Sequence, residues 1–157
     1  MSPSLQQDLK QKKPFRSLQQ EAYLSVVRTS TALTDAMEDL VKARGISATQ
    51  YNVLRILRGS GAEGLCRNAL RDRMLTRMPD MTRLLDRMED AGLVKRSREQ
   101  EDRRMVLTQI TPRGKELLSG LDRPMSDLHR EQLARLTDAQ LRSLIDLLTT
   151  IREGNAG

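Results

Sequence analysis

The sequence predicts a mainly α fold carrying one small β-hairpin. Three observations predict it. Apolar residues recur three and four apart through six separate segments, the period of an amphipathic helix. Those segments are punctuated by caps and stops, among them Ser47–Gln50, Thr137–Gln140, Gly45, Gly59 and Gly92. Only one stretch, residues 93–110, gives up the helical period for two short strands around a charged turn.

Composition bounds the chain before any motif is read. Its 157 residues are enough to bury a core in one domain. Aromatic residues are confined to Phe15, Tyr23 and Tyr51, so Leu, Met and Val must build that core. The same scarcity argues against stacking on single-stranded bases. The net charge is +6, with Arg exceeding Lys. Arg pairs bidentately with phosphate and with guanine, so the excess favours nucleic acid as a partner. Cys66 is the single cysteine, which rules out an intrachain disulfide. His129 is the single histidine, and no His/Cys/Asp cluster has metal-ligand spacing. There is no Gly-rich phosphate loop and no paired nucleophile and histidine. No enzyme activity, cofactor or metal is therefore expected. The N-terminus has no secretory h-region and no apolar run approaches ~18 residues, so a cytoplasmic protein without a membrane partner is expected.

The elements follow in order. Residues 1–16 are polar, with Pro3, Pro14 and Lys10–Lys13, and read as a flexible arm. A single domain is expected over 17–157. Its first helix runs from Leu18 to about Arg44, with Tyr23, Val26, Ser30, Leu33, Met37 and Leu40 as its stripe. At roughly 40 Å it is longer than a compact domain needs. Ser47 and Gln50 form a capping box for the next helix, which carries Tyr51, Leu54, Ile56 and Leu57. A glycine-rich turn, 60–64, leads to a short helix around Arg67–Met74 with Ala69, Leu70 and Met74 inward. Pro79 suits a first helical turn, with Thr76 as the cap. Met81, Leu84, Leu85 and Met88 follow at i, i+3, i+4, i+7. Leu93–Ser97 and Met105–Ile110 read as strands joined by Arg98–Arg104. Thr111-Pro112 opens a helix with Leu117, Leu118, Leu121, Met125 and Leu128 inward and a bend at Pro124. A last helix carries Leu141, Leu144, Ile145, Leu148 and Ile151.

A short helix, a glycine stop and a basic hairpin make a winged helix-turn-helix core over 47–110. A recognition helix turns its apolar side to the domain and its polar side to base edges. The candidates there are Arg77, Asp80, Thr82, Arg83 and Arg87. Arg83 and Arg87, four apart, share a face; the competing role for Arg83 is an ion pair with Asp80 or Asp86. In the hairpin the candidates are Arg96, Arg98, Asp102, Arg103 and Arg104. An arginine at the tip suits a narrow minor groove, with Asp102 orienting its neighbour. Lys95 and Arg96, at the strand start, are expected on phosphates.

The segment MTRLLDRMEDAGLVKRSREQEDRRMVLTQITPRGKELL resembles the signature of the MarR family of winged-helix transcription regulators. The shared features are the Thr-Arg-Leu helix, the AGLVKR turn, the DRR wing and the ITPRG start of the next helix, and the flanking helices fall in matching places. The resemblance implies a homodimer whose helices 17–45 and 111–157 intertwine, reading a pseudo-palindromic double-stranded DNA operator as a repressor. It maps Thr82 and Arg83 to the recognition helix and Asp102 and Arg104 to the wing motif Asp-x-Arg. It also implies a crevice for a small aromatic or apolar effector, for which Met37, Tyr51, Met74 and Met78 are candidates, although methionines at helical spacing also serve as core filler. Family oxidant sensors use a cysteine near the first helix. Cys66 lies beside the third, so that role does not carry over, and Cys66 reads as a small buried residue. The alternatives are a winged helix that binds protein instead of DNA, which would not need arginines on both helix and wing tip, and a ligand-independent regulator without an effector.

Overall fold

The computed structural model describes residues 4–157, so the first three residues of the expected arm lie outside the described residues. The element order is α1 (Leu5–Asp8), α2 (Leu18–Lys42), α3 (Ala48–Gly59), β1 (Leu65–Cys66), α4 (Arg67–Asp72), α5 (Met81–Asp90), β2 (Val94–Arg98), β3 (Val106–Ile110), α6 (Pro112–Gln132) and α7 (Asp138–Gly154). The architecture is mainly helical with one three-stranded antiparallel sheet, ordered β1-β3-β2. The chain divides into two compact units, one ending at Leu121 and one spanning Asp122–Gly157.

The first unit holds nearly all of the buried core. Val53, Leu54 and Leu57 of α3 and Leu70 of α4 are buried, as are Met81, Leu85 and Met88 of α5 and Leu118 and Leu121 of α6. The helical stripes read from the sequence supply most of these side chains. The exception is α2, where only Val41 is buried. Tyr23 and Val26 of its expected stripe are exposed, and Leu33, Met37 and Leu40 are half-buried. Spacing reveals an apolar face without revealing what covers it.

Three local structures depart from expectation. Within the supposed arm, Leu5–Asp8 forms one helical turn closed by a Ser4–Gln7 capping box. The strand β1 was hidden because two residues cannot display an alternating pattern. It pairs Leu65 with Thr108 and Cys66 with Leu107, which leaves Cys66 half-buried and not the fully buried residue expected. Gly64 permits that pairing: its φ is +81°, and a Cβ there would overlap the Thr108 carbonyl oxygen. Finally, α5 starts at Met81, capped by Asp80 and not by Thr76. The Asp80 carboxylate accepts from the Arg83 N–H at 3.1 Å. An anionic cap satisfies an orphan donor and complements the helix dipole, which leaves Pro79 outside the helix.

Thr111 ties the hairpin to the helix that follows. Its hydroxyl donates to the Gly92 carbonyl at 2.6 Å and accepts from the Gly114 N–H at 3.1 Å, capping α6 as expected. Gly114 lies so close to the Leu93 carbonyl that a Cβ would overlap it. Pro124 lies inside α6 and has no N–H for the carbonyl four residues earlier. That carbonyl, on Gly120, accepts from Arg44 Nη2 at 3.4 Å. The α7 helix opens with the expected Thr137–Gln140 capping box and buries none of its residues.

Candidate nucleic-acid interface

The α5 helix is amphipathic by construction. Met81, Leu85 and Met88 are 3%, 2% and 0% exposed, which fixes the helix against the core. The opposite face then presents Thr82, Arg83, Asp86 and Arg87 to solvent. Arg83 and Arg87 form no ion pair among the described residues, so the pairing of Arg83 with Asp80 or Asp86 is not made. Asp80 is occupied as the cap. Arg77 is exposed in the loop before the helix, and that loop is anchored where the Leu75 N–H donates to buried Asn52 Oδ1 at 2.9 Å.

The hairpin pairs Arg96 with Thr108 and Arg98 with Val106. Its tip is held by its own backbone. The Asp102 carboxylate accepts from the Arg104 N–H at 2.9 Å, its carbonyl accepts from the Met105 N–H at 2.9 Å, and the Glu99 N–H donates to the Met105 carbonyl at 2.9 Å. Asp102 thus orients Arg104 through the main chain. Arg98, Arg103 and Arg104 are exposed and form no ion pair among the described residues.

Helix and hairpin enclose a groove of about 480 Å³, lined by Arg67, Thr82, Leu85, Arg96, Asp102 and Arg104 among others. Four of those six were expected at the site. Arg67 was missed. It opens α4, and its Nη1 donates to Thr82 Oγ1 at 2.9 Å, so it is drawn into the site by a neighbour fifteen residues away. No spacing rule within one helix could have found it.

Arg96 occupies a different position from the other arginines. Its Nη2 donates to Asp86 Oδ1 at 2.6 Å and to Glu89 Oε1 at 3.0 Å. Its backbone N–H donates to Glu89 Oε2 at 2.9 Å. The guanidinium hydrogen bond holds the Glu89 carboxyl below the usual glutamate range, against the opposing effect of burial. Glu89 in turn raises the Arg96 pKa further.

Met74 and Met78 border a shallow groove along residues 71–79 that includes neither Met37 nor Tyr51. Tyr51 is a core residue, and Met37 is half-buried on α2. No helix among the described residues is long and apolar enough to cross a membrane.

Comparison with known proteins agrees with the geometry. Residues 46–106 match the model of the MarR family. The chain is 36% identical over 99 residues to the HTH-type transcriptional regulator YfiV of Bacillus subtilis, a match that covers 63% of the chain and 59% of that relative. It likewise spans 65% of a second Bacillus subtilis regulator, YdgJ. The crystal structure of a MarR transcription factor from Planctomyces limnophilus is 40% identical, with a TM-score of 0.66, covering 87% of this chain and 99% of that one. The structure of Sco3205 from Streptomyces coelicolor, a MarR family regulator in complex with DNA, shares the fold at a TM-score of 0.80 and 23% identity, covering 92% of each chain. The fold, the matched segment and these relatives together place the chain in the MarR family of winged-helix transcriptional regulators.

Proposed function

We propose that the protein is a sequence-specific DNA-binding repressor that acts as a homodimer on a pseudo-palindromic operator. One observation carries the reading. The exposed face of α5 and the hairpin tip both present arginines that form no ion pair among the described residues, and Thr82 of the helix and Arg104 of the tip line a single groove. In this reading Thr82, Arg83 and Arg87 meet base edges in the major groove, and Arg77 meets backbone phosphate. Arg104, with Arg98 and Arg103 beside it, enters the adjacent minor groove, where a narrow A·T-rich sequence attracts arginine most strongly. Asp80 and Asp102 act by holding the backbone on which Arg83 and Arg104 stand. Sco3205, bound to DNA, shares this fold.

A homodimer accounts for the uncovered apolar faces. Leu18, Tyr23, Val26 and Val27 of α2 are exposed, and so are Ile145, Leu147 and Ile151 of α7. Faces of this kind are covered in a two-fold assembly, which presents two recognition helices to half-sites about one turn (~34 Å) apart. Repression follows the family expectation.

The test is fluorescence anisotropy with DNA from upstream of the protein's own gene, beside a scrambled duplex of equal length. The expected result is binding ~10³-fold tighter to the upstream DNA, with a steep dependence on salt. Arg83→Ala with Arg104→Ala should lose that preference while sedimentation still shows the wild-type assembly. Unchanged preference in the double variant would remove these two arginines from the interface and favour a protein partner.

A further inference from the structure

We propose that Arg96 is a positioning residue that sets the angle between α5 and the wing hairpin, and that it is not a phosphate contact. The inference rests on the reading of α5 and the wing as the DNA-binding surface, and it reassigns one residue of that surface. Asp86 and Glu89 lie three residues apart on α5 and so share a face. Both converge on a single nitrogen of Arg96, at 2.6 and 3.0 Å. Glu89 also uses its second oxygen on the Arg96 backbone N–H, at 2.9 Å. The helix therefore holds the strand by side chain and main chain at the same residue. Arg96 faces Thr108 of the central strand across the ladder, and Thr108 is buried. A shift of this anchor would move the whole hairpin and not one side chain alone.

Electrostatics argues in the same direction. One guanidinium between two carboxylates leaves the cluster with a net charge of −1, so it offers an approaching phosphate no net positive charge. The Arg96 side chain is only 24% exposed, whereas Arg83, Arg87, Arg98, Arg103 and Arg104 are exposed and unpaired by any ion pair among the described residues.

Two models predict opposite signs for one double variant, Asp86→Asn with Glu89→Gln. If Arg96 grips phosphate, removing two negative charges and freeing the guanidinium should tighten binding. If Arg96 positions the wing, specific binding should weaken at least tenfold while binding to a scrambled duplex is unchanged or tighter. The probe is a duplex enriched by the wild-type protein from a random-sequence pool, titrated at several salt concentrations. Arg96→Met supplies the second readout. As a positioning residue its loss should leave the salt slope on scrambled DNA unchanged, whereas loss of a phosphate contact lowers that slope by about 0.9. Circular dichroism melts separate a repositioned wing from an unfolded one, because the expected variants keep a cooperative transition close to that of the wild type. A wild-type protein that enriches no sequence defeats the DNA-binding reading itself. A wild type that enriches one, with specific binding of the Asp86→Asn, Glu89→Gln variant unchanged or tighter, overturns only the positioning role.

Discussion

The α5 and α7 helices follow the same sequence grammar and meet different fates. Each has an oxygen-bearing N-cap and an apolar stripe at three- and four-residue spacing. In α5 the stripe is buried, with Met81, Leu85 and Met88 at 3%, 2% and 0% exposure. In α7, Leu144, Ile145 and Ile151 of the stripe remain 38%, 60% and 52% exposed. Burial of a leucine or isoleucine is worth about 1.5–3 kcal/mol, so the uncovered face of α7 represents several kcal/mol that the single chain does not collect. The difference teaches that an amphipathic stripe encodes a demand for a partner surface. It does not encode whether that surface belongs to the same chain.

The most disruptive way to test the contrast is to charge the α7 face. Ile145→Asp with Ile151→Asp should convert the assembly to monomers in sedimentation experiments, because two carboxylates would have to be desolvated in an apolar interface. The first unit should keep its fold, and specific DNA binding should fall by at least two orders of magnitude as half-sites lose their linkage. A monomeric wild type, or a variant that remains dimeric, would mean that α7 is not the covered face.

The buried stripe responds differently. Leu85→Ala should destabilise the first unit by about 2–5 kcal/mol, the usual range for a truncated core leucine. Its loss in melting temperature should not depend on protein concentration, since the cavity lies within one chain. Ile151→Ala supplies the contrast: a face covered by a second copy loses stability in a concentration-dependent way. If both variants show the same dependence, the distinction between the two helices fails.

These two helices also show how far the sequence could be read. The stripes of α5 and α7, the capping boxes at Ser47 and Thr137, and the stops at Gly45 and Gly92 were legible because each is a local rule acting within a few residues. The basic wing was legible for the same reason, since strand, charged turn and strand are contiguous. What escaped depends on neighbours remote in sequence. Arg67 enters the groove only because Thr82 lies beside it in space. The strand β1 exists only because β3 accepts it. Arg96 looked like one more arginine in a basic stretch, and only the fold shows that Asp86 and Glu89 already hold it. The capping role of Asp80 was missed, because the sequence assigned it to Thr76.

The smallest expected effect concerns that same anchor on α5, and its sign can be worked out. Arg96 holds the Glu89 carboxyl below its ordinary value, so the folded state binds fewer protons there than the unfolded chain. The stability contributed by the pair is fully present above the ordinary glutamate pKa, about 4.3, and is lost as pH falls through the depressed value. Because Glu89 and Arg96 are partly open to solvent, the contribution is small. It is best read as a difference. The melting temperature of the wild type minus that of Glu89→Gln should stay constant from neutral pH down to that ordinary value and shrink below it. A difference that is flat across the whole range would mean that the carboxylate is not coupled to folding and that its bonds to Arg96 add nothing to the stability of the folded chain.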